Sequence, residues 1–167
     1  LTAVLEGIRT IVPDVAVLLV GAGLYAADSA RFREQLAAAG LMDAIIDAGW
    51  VELDQLPATL AAADVGIYMM DDTLLNRTKC PVKLADMLVA GVPVVAEAVG
   101  QVSEYVRDRQ TGVLAASGDV QGLTTAATEL LTDPATRAQM GAAARMDVLE
   151  RFGWDRLATQ LEEVYGG

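Results

Sequence analysis

Pro81-Val82-Lys83-Leu84-Ala85-Asp86-Met87-Leu88-Val89-Ala90, then Gly91, then Val92-Pro93-Val94-Val95-Ala96, reads as a helix handed directly to a strand. Positions 84, 87, 88 and 91 form one apolar stripe of the helix. Val82, Ala85 and Val89 form a second, so the helix is expected to be buried on most sides. The strand that follows has no polar residue, which is the pattern of a strand covered on both faces. The same alternation extends to either side, with strands expected at 16–20, 44–48, 65–68, 92–96 and near 112–114. Helices are expected at 2–12, 28–40, 53–62, 81–90 and 103–107. Short apolar strands alternating with helices define an α/β, Rossmann-like parallel sheet flanked by helices. After the last strand only helices remain, at about 119–131, 134–151 and 154–165, and Asp133-Pro134 reads as a cap followed by proline at the first helical position.

With 167 residues and no repeat, low-complexity tract or linker, the chain is expected to be one domain over residues 1–167. It opens on a helix although a wound sheet of this kind usually opens on a strand, so a first strand is expected upstream. Acidic residues outnumber basic ones 23 to 12, which argues against nucleic acid or anionic lipid as partner of the whole surface. The single cysteine, Cys80, has no intrachain disulfide partner, and without histidine a Cys/His zinc site is excluded. The longest uncharged apolar run, 15–27, is broken by Gly21 and Gly23 and falls short of the ~20 residues of a membrane span. No basic-then-apolar leader opens the sequence. A cytoplasmic setting is therefore expected.

In so acidic a chain the positive charge at 77–83 stands out. Arg77, Lys79 and Lys83 lie where the helix at 81–90 begins, and these two lysines are the only ones present. Cations at a helix N-terminus oppose the macrodipole, at a cost of ~0.3–1 kcal/mol each. Free backbone N–H groups at the same place form an anion site, so a phosphate-bearing ligand would reconcile the two. Lys83 and Asp86 are three apart and share a helix face. As a plain ion pair they would contribute only ~0.2–0.5 kcal/mol, and in the less favourable order. A ligand role for both is the better reading. The loop that precedes the helix leaves the carboxyl end of a strand, where open α/β sheets bind ligands, and carries Asp71 and Asp72 as solvated acids. Glu97, just past the next strand, points to the same rim.

Gly21-Ala22-Gly23-Leu24-Tyr25-Ala26 is a second phosphate-loop candidate. It follows a strand and precedes a helix, as in dinucleotide-binding folds, with alanine in the last place. The acid that such a fold places at the end of the next strand is lacking, because Asp43 stands at that strand's start and Asp47 near its middle. A tight glycine turn serves equally well. An NAD-dependent oxidoreductase domain and a non-catalytic nucleotide-binding domain stay open as alternatives.

The run from Lys79 to Ala96, continued by Val99-Gly100-Gln101-Val102-Ser103-Glu104-Tyr105-Val106 and Thr111-Gly112-Val113-Leu114, resembles the donor-binding, C-terminal half of GT-B glycosyltransferases, above all the family-four retaining enzymes. Pro13-Asp14-Val15, Val20-Gly21-Ala22-Gly23, Ala63-Asp64-Val65-Gly66-Ile67 and Phe152-Gly153-Trp154-Asp155 extend the resemblance over nearly the whole chain. It implies one half of a GT-B enzyme with a helical C-terminus. The implied reaction is transfer of a hexosyl group from a nucleoside-diphosphate sugar to an acceptor hydroxyl, with retention. The position of Asp86 is usually a glutamate that holds the ribose hydroxyls. A second glutamate, eight residues earlier, is Thr78 here, so the sugar contact is altered. Lys79 and Lys83 would meet the leaving diphosphate as catalytic cations, with the amides of Val82 and Lys83. Gly21 and Gly23 would lie near the donor, and the base would rest on backbone at 49–52, Val51 included. The resemblance implies no cofactor and no required metal, the donor sugar nucleotide as partner, and an N-terminal acceptor domain lying outside this sequence. Through that domain the protein could sit at a membrane surface.

Overall fold

The computed structural model describes residues 1–21 and 26–166. Chain order is α1 (Thr2–Ile11), β1 (Val17–Leu19), α2 (Ala26–Ala38), a 3-10 turn (Met42–Ala44), β2 (Ile45–Asp47), α3 (Leu56–Ala61), β3 (Gly66–Tyr68), α4 (Leu74–Arg77), α5 (Val82–Val89), β4 (Val94–Glu97), α6 (Val102–Tyr105), β5 (Gly112–Ala115), α7 (Val120–Thr132), α8 (Pro134–Phe152) and α9 (Trp154–Gly166). The α/β alternation and the helical C-terminus are as expected. Asp133 caps α8 by accepting from the backbone N–H groups of Ala135 and Thr136 at 3.1 Å each, with Pro134 in the first turn. All strand pairs are parallel.

The strands form two sheets. β1 pairs with β2, and β4 stands between β3 and β5. In the larger sheet Tyr68 faces Ala96 and Ala96 faces Leu114. α1 spans both sheets. Its Val4 and Ile8 join Val95, Val113 and Leu123 in one core cluster, and Leu5 joins Leu36 and Leu41 in another that also touches Val17, Leu19 and Ile67. A third cluster, of Leu84, Leu88, Val94, Ala96, Val102, Ala144 and Val148, lies between β4 and the helices α5, α6 and α8. Gly141 lets α8 cross tightly there, because a Cβ at that position would come 3.2 Å from Pro93 Cδ and nearer still to the Gly91 carbonyl.

Three details depart from the sequence reading. α5 is buried on one face only, through Leu84 and Leu88, whereas Val82 and Val89 are exposed, because α3 and α8 leave that side of the helix uncovered. Only β4 is buried throughout, and β2 leaves Ile46 in solvent. The four-residue α4 lies in a stretch read as loop. Among the described residues no helix is long and apolar enough to cross a membrane.

Candidate functional site

The carboxyl end of β3 opens into the segment 69–81, which leads to α5. Several bonds shape it. Thr73 caps α4, its Oγ1 accepting from the Asn76 N–H at 3.2 Å. Asn76 then donates its side-chain amide to the Asp71 carbonyl at 2.8 Å, and its Oδ1 accepts from Lys79 Nζ at 2.8 Å. Thr78 ends the helix with its hydroxyl on the Leu75 carbonyl. Arg77 grips Asp72 with two bonds, of 2.5 and 2.8 Å, so this cation is spoken for. Asp72 is therefore not a free solvated acid, and the Arg77 guanidinium holds its carboxyl below the usual range.

The segment is tethered from outside at three points. At its start the Met70 N–H donates to Glu97. In the middle, the backbone of Gly100 (φ 55°) presses on Arg77, where a Cβ would come within 2.6 Å of the Arg77 Cα and carbonyl oxygen. At its end Cys80 Sγ lies 3.5 Å from the Tyr105 hydroxyl. That contact, followed by burial, pushes the tyrosine pKa up to about 12. Tyr105 in turn stacks on Phe152 with ring centroids 4.4 Å apart, and the Arg151 guanidinium carbon lies over the Phe152 ring, 4.7 Å from its centroid.

α5 begins without a side-chain cap. The Val82 N–H donates to the Cys80 carbonyl at 3.0 Å and that of Ala85 to Pro81 at 3.1 Å. Among the described residues the N–H groups of Lys83 and Leu84 have no acceptor. The amides left open at the helix start are thus those of 83 and 84, since the Val82 N–H is taken by the Cys80 carbonyl. Lys83 is exposed and makes no ion pair with Asp86. Asp86 is half-buried, and burial raises its pKa because the charged form loses hydration. Among the described residues, a cation without an ion pair, two amides without acceptors and an unpaired carboxylate one turn further along can receive an anion joined to a hydroxyl-bearing group.

Gly21 and Val51 lie past the carboxyl ends of β1 and β2, on the rim of the smaller sheet. The Gly21 N–H donates to the Gly49 carbonyl at 2.8 Å, which brings the ends of β1 and β2 together, and Val51 follows as a half-buried residue of the next loop. Gly23, and with it most of the 21–26 loop, lies outside the described residues. Among those described, no hydrogen bond joins this rim to Thr78, Lys79, Val82, Lys83 and Asp86, which share one continuous segment. Asp47 proves to be the last residue of β2 rather than a mid-strand one. It is engaged with Arg33 at 2.8 Å and with the Gly49 N–H at 3.0 Å, while Asp43 is held in a two-bond pair with Arg9. Neither acid is free to hold a ribose as a dinucleotide fold requires. The sequence reading missed Asn76, which orients Lys79, and the backbone bonds of Glu97. An asparagine three residues before a lysine, next to a short cap motif, was the available signal for the first.

The architecture is shared with solved structures. Anabaena HepE, in complex with UDP and glucose, superposes with a TM-score of 0.81 at 21% identity, covering 98% of this chain and 44% of that one. The C-terminal domain of a glycosyl transferase group 1 protein, LpcC of Francisella tularensis, matches with a TM-score of 0.65 at 17% identity, over 90% of this chain and 78% of that one. The fold is thus that of the C-terminal half of a GT-B glycosyltransferase. Residues 1–133 match the family of glycosyl transferases group 1, and the chain belongs to it. A GDP-mannose-dependent alpha-(1-6)-phosphatidylinositol monomannoside mannosyltransferase of Mycolicibacterium smegmatis is 32% identical over 98% of this chain and 42% of its own length. A 2-deoxystreptamine N-acetyl-D-glucosaminyltransferase of Streptomyces fradiae is 33% identical over 79% of this chain and 30% of its own. The chain spans less than half the length of these relatives.

Proposed function

We propose that this chain is the donor-binding domain of a retaining glycosyltransferase, taking a nucleoside-diphosphate sugar and passing its hexosyl group to an acceptor hydroxyl. The observation that supports the reading is the start of α5, where Lys83 stands exposed and, among the described residues, unpaired beside two amides without acceptors, while its nearest helical acid, Asp86, makes no bond to it. On this reading Lys83, Lys79 and the amides of 83 and 84 stabilise the charge that grows on the leaving diphosphate, the largest task in such a reaction. No metal is required for it. Asp86 accepts from the ribose hydroxyls, with less reach than a glutamate, and Thr78 stands where a second acid would meet the sugar. Gly21, Gly23 and Val51 border the nucleoside. The setting is cytoplasmic, where the exposed Cys80 stays reduced.

The acceptor-binding half belongs to the rest of the protein, as does a strand between β1 and β3. The split sheet supports that strand. Its order, β2-β1 and then β3-β4-β5, is a doubly wound sheet without its central member, and β1 and β3 each keep one unpaired edge among the described residues. Relatives act with GDP-mannose or transfer N-acetylglucosamine, and a structural neighbour holds UDP, so the base is open. Titration calorimetry of the chain against UDP, GDP, ADP, NAD and pyrophosphate tests the reading. Weak binding of at least one nucleoside diphosphate, undisturbed by EDTA and without measurable sugar transfer, is expected. Asp86→Ala should weaken that nucleotide but hardly pyrophosphate. Binding of NAD alone, or of none, would defeat the proposal.

A further inference from the structure

Glu97 is the only charged side chain among the buried polar residues described, at 4% exposure, and it ends a strand whose other members are all apolar. Its place in the register explains what it does. Glu97 faces Ala115 in β5, and the β3–β4 ladder ends one residue earlier, at Tyr68 and Ala96. Past these points the backbone N–H groups of Met70 and Gly118 have no backbone acceptor among the described residues. The Met70 N–H donates to Glu97 Oε2 and the Gly118 N–H to Oε1, each at 2.7 Å. One carboxylate thereby extends the sheet by a step on both sides. Among the described residues no lysine or arginine pairs with it. A buried carboxylate without a cation is costly, and two charge-assisted bonds to backbone donors are what offset it.

We propose that Glu97 is a positioning residue for the diphosphate-binding rim, an inference that rests on the donor-binding reading. It fixes Met70, where the segment carrying Asn76 and Lys79 departs from β3, and so sets where that segment and the Lys83 end of α5 stand above the sheet. The other two tethers, Gly100 on Arg77 and Tyr105 on Cys80, act further along. Without the first, the segment pivots from its root. Glutamine cannot replace the glutamate, because its one carbonyl oxygen satisfies one N–H and its amide group turns a donor toward the other.

The test compares the wild type, Glu97→Gln and a control, Leu130→Ala, whose side chain lies in the cluster beneath α1 and α7. Hydrogen exchange at the Met70 and Gly118 amides, melting temperature, and calorimetric affinity for pyrophosphate and the best nucleoside diphosphate are read on each. Glu97→Gln should speed exchange at one or both amides about tenfold and weaken pyrophosphate about three- to tenfold. Leu130→Ala, with at least as large a fall in melting temperature, should keep wild-type affinity. Wild-type affinity in Glu97→Gln, or unchanged exchange at both amides, overturns the positioning role. A wild type that binds no diphosphate at all overturns the donor reading, and this inference with it, which is a different result from a binding wild type and an equally tight variant.

Discussion

β1 and β4 are written in nearly the same residues, Val17-Leu18-Leu19 against Val94-Val95-Ala96, yet β4 is buried throughout and β1 only half-buried. The difference lies in their surroundings. β4 has a paired strand on each side and is packed by α5 on one face and α7 on the other. β1 has one paired strand, and its core contacts come from α1 and α2 through Leu5 and Leu36. An apolar strand is therefore only as buried as its layer is complete. The candidate site divides along the same line. The rim at 69–86 is framed by three tethers to the larger sheet and its helices, whereas the rim at Gly21 and Val51 rests on the smaller sheet, with Trp50 74% and Leu53 85% exposed beside it.

The largest expected effect tests that contrast directly. Leu88→Ala removes a fully buried side chain between β4 and α8 and should lower stability by about 2–5 kcal/mol in denaturant unfolding, while Ile46→Ala should stay within about 0.5 kcal/mol. Similar losses at the two positions would break the comparison. Next comes the framing of the rim. Gly100→Ala adds a Cβ against the Arg77 backbone at a positive φ and should cost about 1–3 kcal/mol, with diphosphate affinity falling in parallel. Unchanged affinity would mean that this tether does not set the site.

The smallest effect concerns pH. Asp72, Asp43 and Asp47 have folded pKa values below the ordinary 3.8, for Asp72 and Asp43 first through their arginines and for Asp47 first through the Gly49 N–H. Their contribution is present above 3.8 and lost as pH falls below it. Asp86 has the opposite sign. Burial raises its folded pKa, so its ionisation opposes folding as pH climbs from 3.8 through the raised value. Melting curves should show Asp72→Asn flattening the acid limb and Asp86→Asn gaining slightly at neutral pH while losing nucleotide affinity. A loss of neutral-pH stability in Asp86→Asn would mean that the carboxylate has a structural partner.

Much of this was legible in the residues. Five apolar runs located five strands, and Asp133-Pro134 located the start of α8, because each depends on local pattern alone. What was not legible depends on neighbours. The division of the sheet turns on which strands meet. The exposure of Val82 and Val89 turns on which helices cover α5, and periodicity cannot supply that. α4, at four residues, is barely one helical turn, too short for a periodic pattern to repeat. At the site, Lys83 and Asp86 were visible as charges placed against local preference, and their lack of a mutual bond agrees with that reading. Glu97 was visible as an acid near the rim, but its partners are backbone amides of distant loops, which carry no residue signature.

The central claim is that Lys83 is held free for a diphosphate. Calorimetry of wild type and Lys83→Ala against pyrophosphate and the preferred nucleoside diphosphate tests it most directly, with melting temperature measured alongside. The account predicts binding weakened by about 1.5–3 kcal/mol, as for a hydrogen bond to a charged group, and a melting temperature that holds or rises because a cation opposed to the helix dipole is gone. Equal affinity in the two proteins, together with a lower melting temperature in the variant, would contradict it.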